Sequence, residues 1–112
     1  MAFLRRRVLE NYASAGGKDV IGEWLDDLRD VRGRSVIQRR LERVEDGNFG
    51  DHAYVGGGVW ELRIHYGPGY RVYYAEHGSV IVLLLCAGDK STQHKDIRRA
   101  QEYWEDYRRT SK

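Results

Sequence analysis

The chain has 112 residues, 41% of them hydrophobic and 32% charged. That is long enough to bury one core without disulfide or metal staples, and too apolar for a disordered segment. The formal net charge is only +2, so bulk charge does not point to a nucleic-acid partner; segregation of charge onto one surface would. A single cysteine, Cys86, excludes an intrachain disulfide. It lies in an apolar run and reads as a small buried hydrophobe, which fits a reducing, cytoplasmic setting. Arg5, Arg6 and Arg7 are followed by no apolar stretch of signal-peptide length, and the longest apolar run, residues 80–87, is far too short to cross a bilayer. One domain spanning 1–112 is expected, with no linker, internal repeat or membrane association.

In chain order, residues 8–12 suit a short edge strand, and residues 14–17 a loop. From Asp19, the apolar positions Val20, Ile21, Trp24, Leu25 and Leu28 fall at helical spacing. Arg32, Gly33 and Arg34 read as an interruption, after which Ser35 caps a second helix with the stripe Val36, Ile37, Leu41 and Val44. Asp46, Gly47 and Asn48 end it. Two amphipathic helices so closely joined imply a hairpin packed on one sheet face. Arg39, Arg40, Glu42 and Arg43 then form its solvated side. Residues 48–58 read as a Gly-rich connection.

Residues 59–89 organise the rest. Residues 60–66 and 70–75 alternate apolar and polar side chains, the period of a half-buried strand. Gly67, Pro68 and Gly69 form the turn between them. After a second turn at residues 76–79 comes the apolar run 80–86, suited to a central strand covered on both faces. With a three-residue loop, Tyr66 faces Tyr70, His65 faces Arg71 and Arg63 faces Tyr73. One face then carries Trp60, Leu62, Ile64, Tyr66, Tyr70, Val72 and Tyr74; the other carries Glu61, Arg63, His65, Arg71 and Tyr73. Two arginines, a histidine and a tyrosine on one face make a candidate polyanion site, unless the arginines simply pair with Glu61 or face solvent.

A closing helix from Ser91, capped by Ser91 or Thr92, carries the stripe Ile97, Ala100, Trp104 and Tyr107 and the basic residues Lys95, Arg98, Arg99, Arg108 and Arg109. Where the apolar strand gives way to this helix, residues 88–94 present backbone N–H groups together with Lys90, as anion sites do. The histidines His52, His65, His77 and His94 lack paired zinc spacings, and no acidic cluster suits magnesium. No cofactor and no metal site is expected.

The segments WELRIHYGPGYRVYY and VIVLLLCAGDKSTQHKDI resemble the RelE/ParE superfamily of toxin–antitoxin toxins, and more closely its phage-derived Gp49-like, HigB-like branch of addiction-module killer proteins. The likeness covers roughly residues 8 to 105. It implies an α+β fold: an N-terminal edge strand, a two-helix hairpin, an antiparallel sheet with a three-strand meander, and a closing C-terminal helix. RelE-like and HigB-like members are endoribonucleases that cut mRNA, typically on the ribosome, whereas ParE-like members inhibit DNA gyrase. The resemblance implies a helix-turn-helix antitoxin (HigA-like) as partner, with mRNA and the ribosome as targets. By the same match Arg71 corresponds to the arginine set against the scissile phosphate, Arg63 to a basic position on the preceding strand, and Lys90 to the basic position after the apolar strand. Glu61 stands where RelE has a lysine, and no late tyrosine has a counterpart near Asp96. His65 is therefore a candidate acid or base; Tyr73, His94 and Arg98 are candidate RNA contacts. An mRNA nuclease, a gyrase inhibitor and a non-catalytic antitoxin-binding module all remain open on the residues alone.

Overall fold

The computed structural model describes residues 5–111. Its elements run β1 (Val8–Asn11), α1 (Val20–Asp27), α2 (Val31–Glu45), β2 (His52–Gly56), β3 (Val59–Ile64), β4 (Tyr70–His77), β5 (Ile81–Asp89), a 3-10 turn (Lys90–Thr92) and α3 (Gln93–Thr110). The strands form one sheet in the order β1-β5-β4-β3-β2. The expected meander is β3-β4-β5, antiparallel throughout. The edge strand β1 is present but runs parallel to β5, so the sheet is mixed. The literal middle of the sheet is β4, with β5 one place out and nevertheless covered on both faces.

Two cores lie on opposite sides of the sheet. On one, Ile21, Ile37, Leu41 and Val44 from α1 and α2 meet Leu62, Ile64, Tyr70, Val72, Tyr74, Val82 and Leu84. On the other, Ala100 and Trp104 from α3 meet Val59, Tyr73, Ala75, Leu83, Leu85 and Cys86. Alternation along each strand makes this possible, since successive side chains point to opposite faces. Cys86 is fully buried and its thiol is pushed up to about 12 by that burial, which removes it as a nucleophile.

Four expectations need correction. Helix α2 starts at Val31, capped by Asp30, whose Oδ1 accepts the Gly33 N–H at 2.9 Å; Gly33 lies inside its first turn and Ser35 caps nothing. The supposed connection at residues 48–58 contains β2, an edge strand with a register shift between Tyr54 and Gly56. Arg40 is not on a solvated face. Its guanidinium donates to the carbonyls of Phe49, Asp51 and Arg63 at 2.5–3.1 Å and ties the loop before β2 to the end of β3.

At the start of α3, neither Ser91 nor Thr92 acts as a side-chain cap; Asp89 instead accepts both the N–H and the hydroxyl of Ser91. One of the backbone donors at residues 88–94, the Ser91 N–H, is therefore already occupied by a carboxylate.

Candidate functional site

The turn between β3 and β4 is longer than three residues. Strand β3 ends at Ile64, Tyr66 donates its N–H to the Ile64 carbonyl at 2.9 Å, and Gly69 donates to Tyr66 at 3.0 Å. Gly69 has φ of 84°, open to glycine at little cost and strained for other residues. The register is consequently shifted by two residues: Arg63 faces Arg71, Glu61 faces Tyr73 and Ile64 faces Tyr70. A two-residue shift keeps every side chain on its expected face. His65 and Tyr66 are lost from the sheet to the turn, and His65 sits there with its Nε2 against Asp51 Oδ2 at 2.6 Å.

The face that the alternation assigned to Arg63, Arg71 and Tyr73 is largely roofed by α3. Glu61 and Tyr73 are fully buried and Arg71 is 8% exposed. Glu61 is the hub. Its Oε1 accepts from Arg63 Nε at 2.9 Å and lies 3.8 Å from Arg71 Nε, while its Oε2 accepts from Gln93 of α3 at 2.8 Å. The hydrogen bond it donates to Glu61 raises the Arg63 guanidinium above its ordinary value, so Arg63 stays a cation. The Tyr73 phenol is pushed far up, first by burial and then by the adjacent Glu61 charge, and its hydroxyl has no hydrogen-bond partner. No ring face of Tyr73 is open for a base to stack on.

Arg71 is the buried cation with donors to offer. Its Nη1 reaches the carbonyls of Gly69 and Tyr70 only at 3.3 and 3.2 Å, and its Nε has no hydrogen-bond partner. It lines an open depression of about 500 Å³ together with His65, Tyr66, Gly67, Pro68, Gly69 and Lys90. Lys90 is exposed and makes no ion pair among the described residues. A guanidinium, an ammonium and an imidazole thus converge on one concavity, with Arg63 joined to Arg71 through Glu61. The resulting field is positive where a phosphate would sit.

Asp51 shapes the imidazole. Its carboxyl is held below the usual carboxylate range by the His65 hydrogen bond. With Asp51 on Nε2, the other ring nitrogen, Nδ1, is left for proton transfer. Sequence reasoning missed Asp51 and Gln93, since both reach the site from other elements, and it gave Glu61 no more than a pairing role. The alternation of Glu61 with Arg63 at i, i+2 was the available signal.

The remaining candidates lie elsewhere. His94 and Arg98 are exposed on α3, and neither lines the Arg71 depression. Arg98 borders a separate hollow with Gly57, Gly58, Gln101, Glu102, Glu105 and Arg108, where acids and bases alternate. Among the described residues no group of three His, Cys, Asp or Glu side chains is gathered as a metal site.

Residues 23–105 match the model of the family described as phage derived protein Gp49-like (DUF891). The chain belongs to this Gp49-like family, one of the RelE/HigB-like toxin families. An uncharacterized protein of Haemophilus influenzae (strain ATCC 51907 / DSM 11121 / KW20 / Rd) is 50% identical over 78 residues, which cover 70% of this chain and 79% of that relative. The Gp49-like match takes in α2, the whole meander and most of α3. It therefore includes Glu61, Arg63, His65, Arg71 and Lys90, and leaves out β1. No helix among the described residues is long and apolar enough to cross a membrane.

Proposed function

We propose that this Gp49-like protein is the toxin of a type II toxin–antitoxin module and acts as an endoribonuclease on mRNA. The observation that carries this reading is the convergence of Arg71, Lys90 and His65 on one depression, with Lys90 exposed and in no ion pair among the described residues. Cleavage of RNA by its own 2′-hydroxyl places extra negative charge on the phosphorane oxygens. Cations fixed in place favour that state over the ground state. Arg71 takes the non-bridging oxygens, His65 Nδ1 takes the 2′ proton, and Lys90 stands at the departing 5′ oxygen. Each proton-transfer role is worth roughly 10²–10⁴-fold. No metal is required by these roles. The partners are a helix-turn-helix antitoxin of the HigA-like kind, which masks the basic surface, and translated mRNA on the ribosome; the setting is the cytoplasm.

A ParE-like gyrase inhibitor, or a non-catalytic antitoxin-binding module, is the competing reading, and one observation favours it. The buried Glu61 carboxylate already compensates Arg63 and Arg71, where a nuclease gains from uncompensated cations. Two assays separate the readings. Primer extension on a translated message after brief induction should show internal cuts, while gyrase supercoiling continues. Intact message with blocked supercoiling would establish the ParE-like reading instead. Arg71→Ala should lower cleavage by about 10²–10³-fold, as loss of an oxyanion donor does, with far-UV circular dichroism unchanged. Arg71→Lys keeps the charge beside Glu61 and checks that any loss is not misfolding. A folded Arg71→Ala protein that cuts at full rate would remove Arg71 from the mechanism.

A further inference from the structure

A second depression, of about 250 Å³, adjoins the first. It is lined by Val36, Arg39, Arg40, Arg43, Ile64 and His65. His65 also lines the Arg71–Lys90 depression, so the two hollows adjoin at His65, one beside the β3–β4 turn and the start of α3, the other on the outer face of α2. The three arginines here differ in state. Arg40 is fastened to the carbonyls of Phe49, Asp51 and Arg63 and belongs to the floor. Arg39 and Arg43 are exposed, one helical turn apart on the same face, and make no ion pair among the described residues. Val36 and Ile64 supply apolar surface between them. Among the described residues no carboxylate lines this hollow; the nearby Asp51 is engaged by His65.

The geometry points to a track for single-stranded RNA along α2, in which Arg39 and Arg43 hold phosphates that flank the scissile one. This rests on the nuclease reading given above and adds to it the direction in which the substrate strand leaves the site. Two free guanidiniums over an apolar floor suit a phosphate backbone with its sugars and bases lying between the charges. An acidic peptide would satisfy the same charges. The shared His65 favours the nucleic acid, because a strand bound at Arg71 must continue beyond that depression, and the hollow adjoining it at His65 is lined by arginines.

The test uses the whole protein and 2′-O-methyl RNA, which binds without being cut, in two lengths, about twelve and about four nucleotides, within the usual range of single-strand sites. The double variant Arg39→Glu/Arg43→Glu should lower affinity for the longer RNA by about tenfold or more and leave the shorter one unchanged. Its salt slope for the longer RNA should fall by about 1.4, the share of two single-strand phosphate contacts. Circular dichroism controls for folding, and Arg39→Lys/Arg43→Lys should retain binding. Unchanged affinity for the longer RNA would overturn the track, as would an equal loss for both lengths. A poly-glutamate peptide of matched length that binds as tightly as the RNA, and is lost in the same variant, would reassign the groove to an acidic protein segment. Should Arg71→Ala bind the short RNA and cleave message as the wild type does, it is the underlying nuclease reading that fails, not the α2 track alone.

Discussion

A carboxylate with no exposed surface has given up its hydration and recovers it only through hydrogen bonds from its partners. Glu61 meets that condition with Arg63, Gln93 and the nearby Arg71, yet the Tyr73 hydroxyl beside it remains unpartnered. Tyr73→Phe should therefore be neutral or stabilising by up to about 1 kcal/mol in urea unfolding, since an unsatisfied buried hydroxyl is removed without loss of volume. Growth inhibition should be unaffected. A loss of more than about 1.5 kcal/mol would show that the hydroxyl has a partner after all. Asp30 gives a pH test. Its carboxyl is held below the usual carboxylate range by the Tyr70 hydroxyl first and the Gly33 N–H second, while burial first and then the same pairing push Tyr70 up to about 12. Because the folded-state value is depressed, Asp30 contributes fully above about pH 5, and the contribution disappears as pH falls through the lowered value. Asp30→Asn should flatten this part of the acid loss; parallel loss in variant and wild type below about pH 4 would exclude Asp30 as its source. The shared face of Glu61, Arg63, Arg71 and Tyr73 was legible from alternation alone. Its burial was not, because the roof comes from α3, some thirty residues further on, and a strand pattern of mixed polarity looks the same whether its polar side is wet or paired.

At the scale of elements, the start of α2 shows why boundaries are hard to read. Gly33 resembles a breaker, and alanine is intrinsically the better helix former by about 1 kcal/mol. A Cβ at Gly33, however, would stand 2.4 Å from Asp30 Oδ2 and 2.8 Å from the Tyr70 ring. The glycine is there to let the capping carboxylate and the tyrosine close over the first turn. Gly33→Ala should therefore destabilise by about 1–3 kcal/mol, as overpacking does, and lower the melting temperature despite the gain in propensity. An unchanged or raised melting temperature would refute this account. Strand β2 escaped sequence analysis for a different reason. His52 and Tyr54 are exposed, and Gly56 adds a register shift. An edge strand of this kind is held by its backbone ladder to β3 rather than by an apolar face, so it leaves little periodicity to find. Helices α1 and α3, which do bury a stripe, were legible to within a few residues.

On the scale of the whole molecule, the two cores are separately built and both needed. The core under α3 depends on Trp104, which is 8% exposed and packs with Val59, Leu85 and Ala100 among others. Trp104→Ala should cost about 3–5 kcal/mol, readable as a shifted urea midpoint, and should also reduce cleavage, because α3 supplies Gln93 to Glu61. Cleavage untouched by so large a loss would mean that the roof does not order the site. The parallel pairing of β1 with β5 has a temporal consequence. Arg7 bonds to Val80 across 73 residues of chain, and among the described residues β5 is the one strand beside β1. As the polypeptide is made, at about 5–20 residues per second, the first strand leaves the ribosome several seconds ahead of the only strand it can join. The segments carrying Arg71 and Lys90 emerge in that same late interval, so on the proposed function the site can assemble only near the end of synthesis, which would leave those seconds for an antitoxin made alongside to be ready.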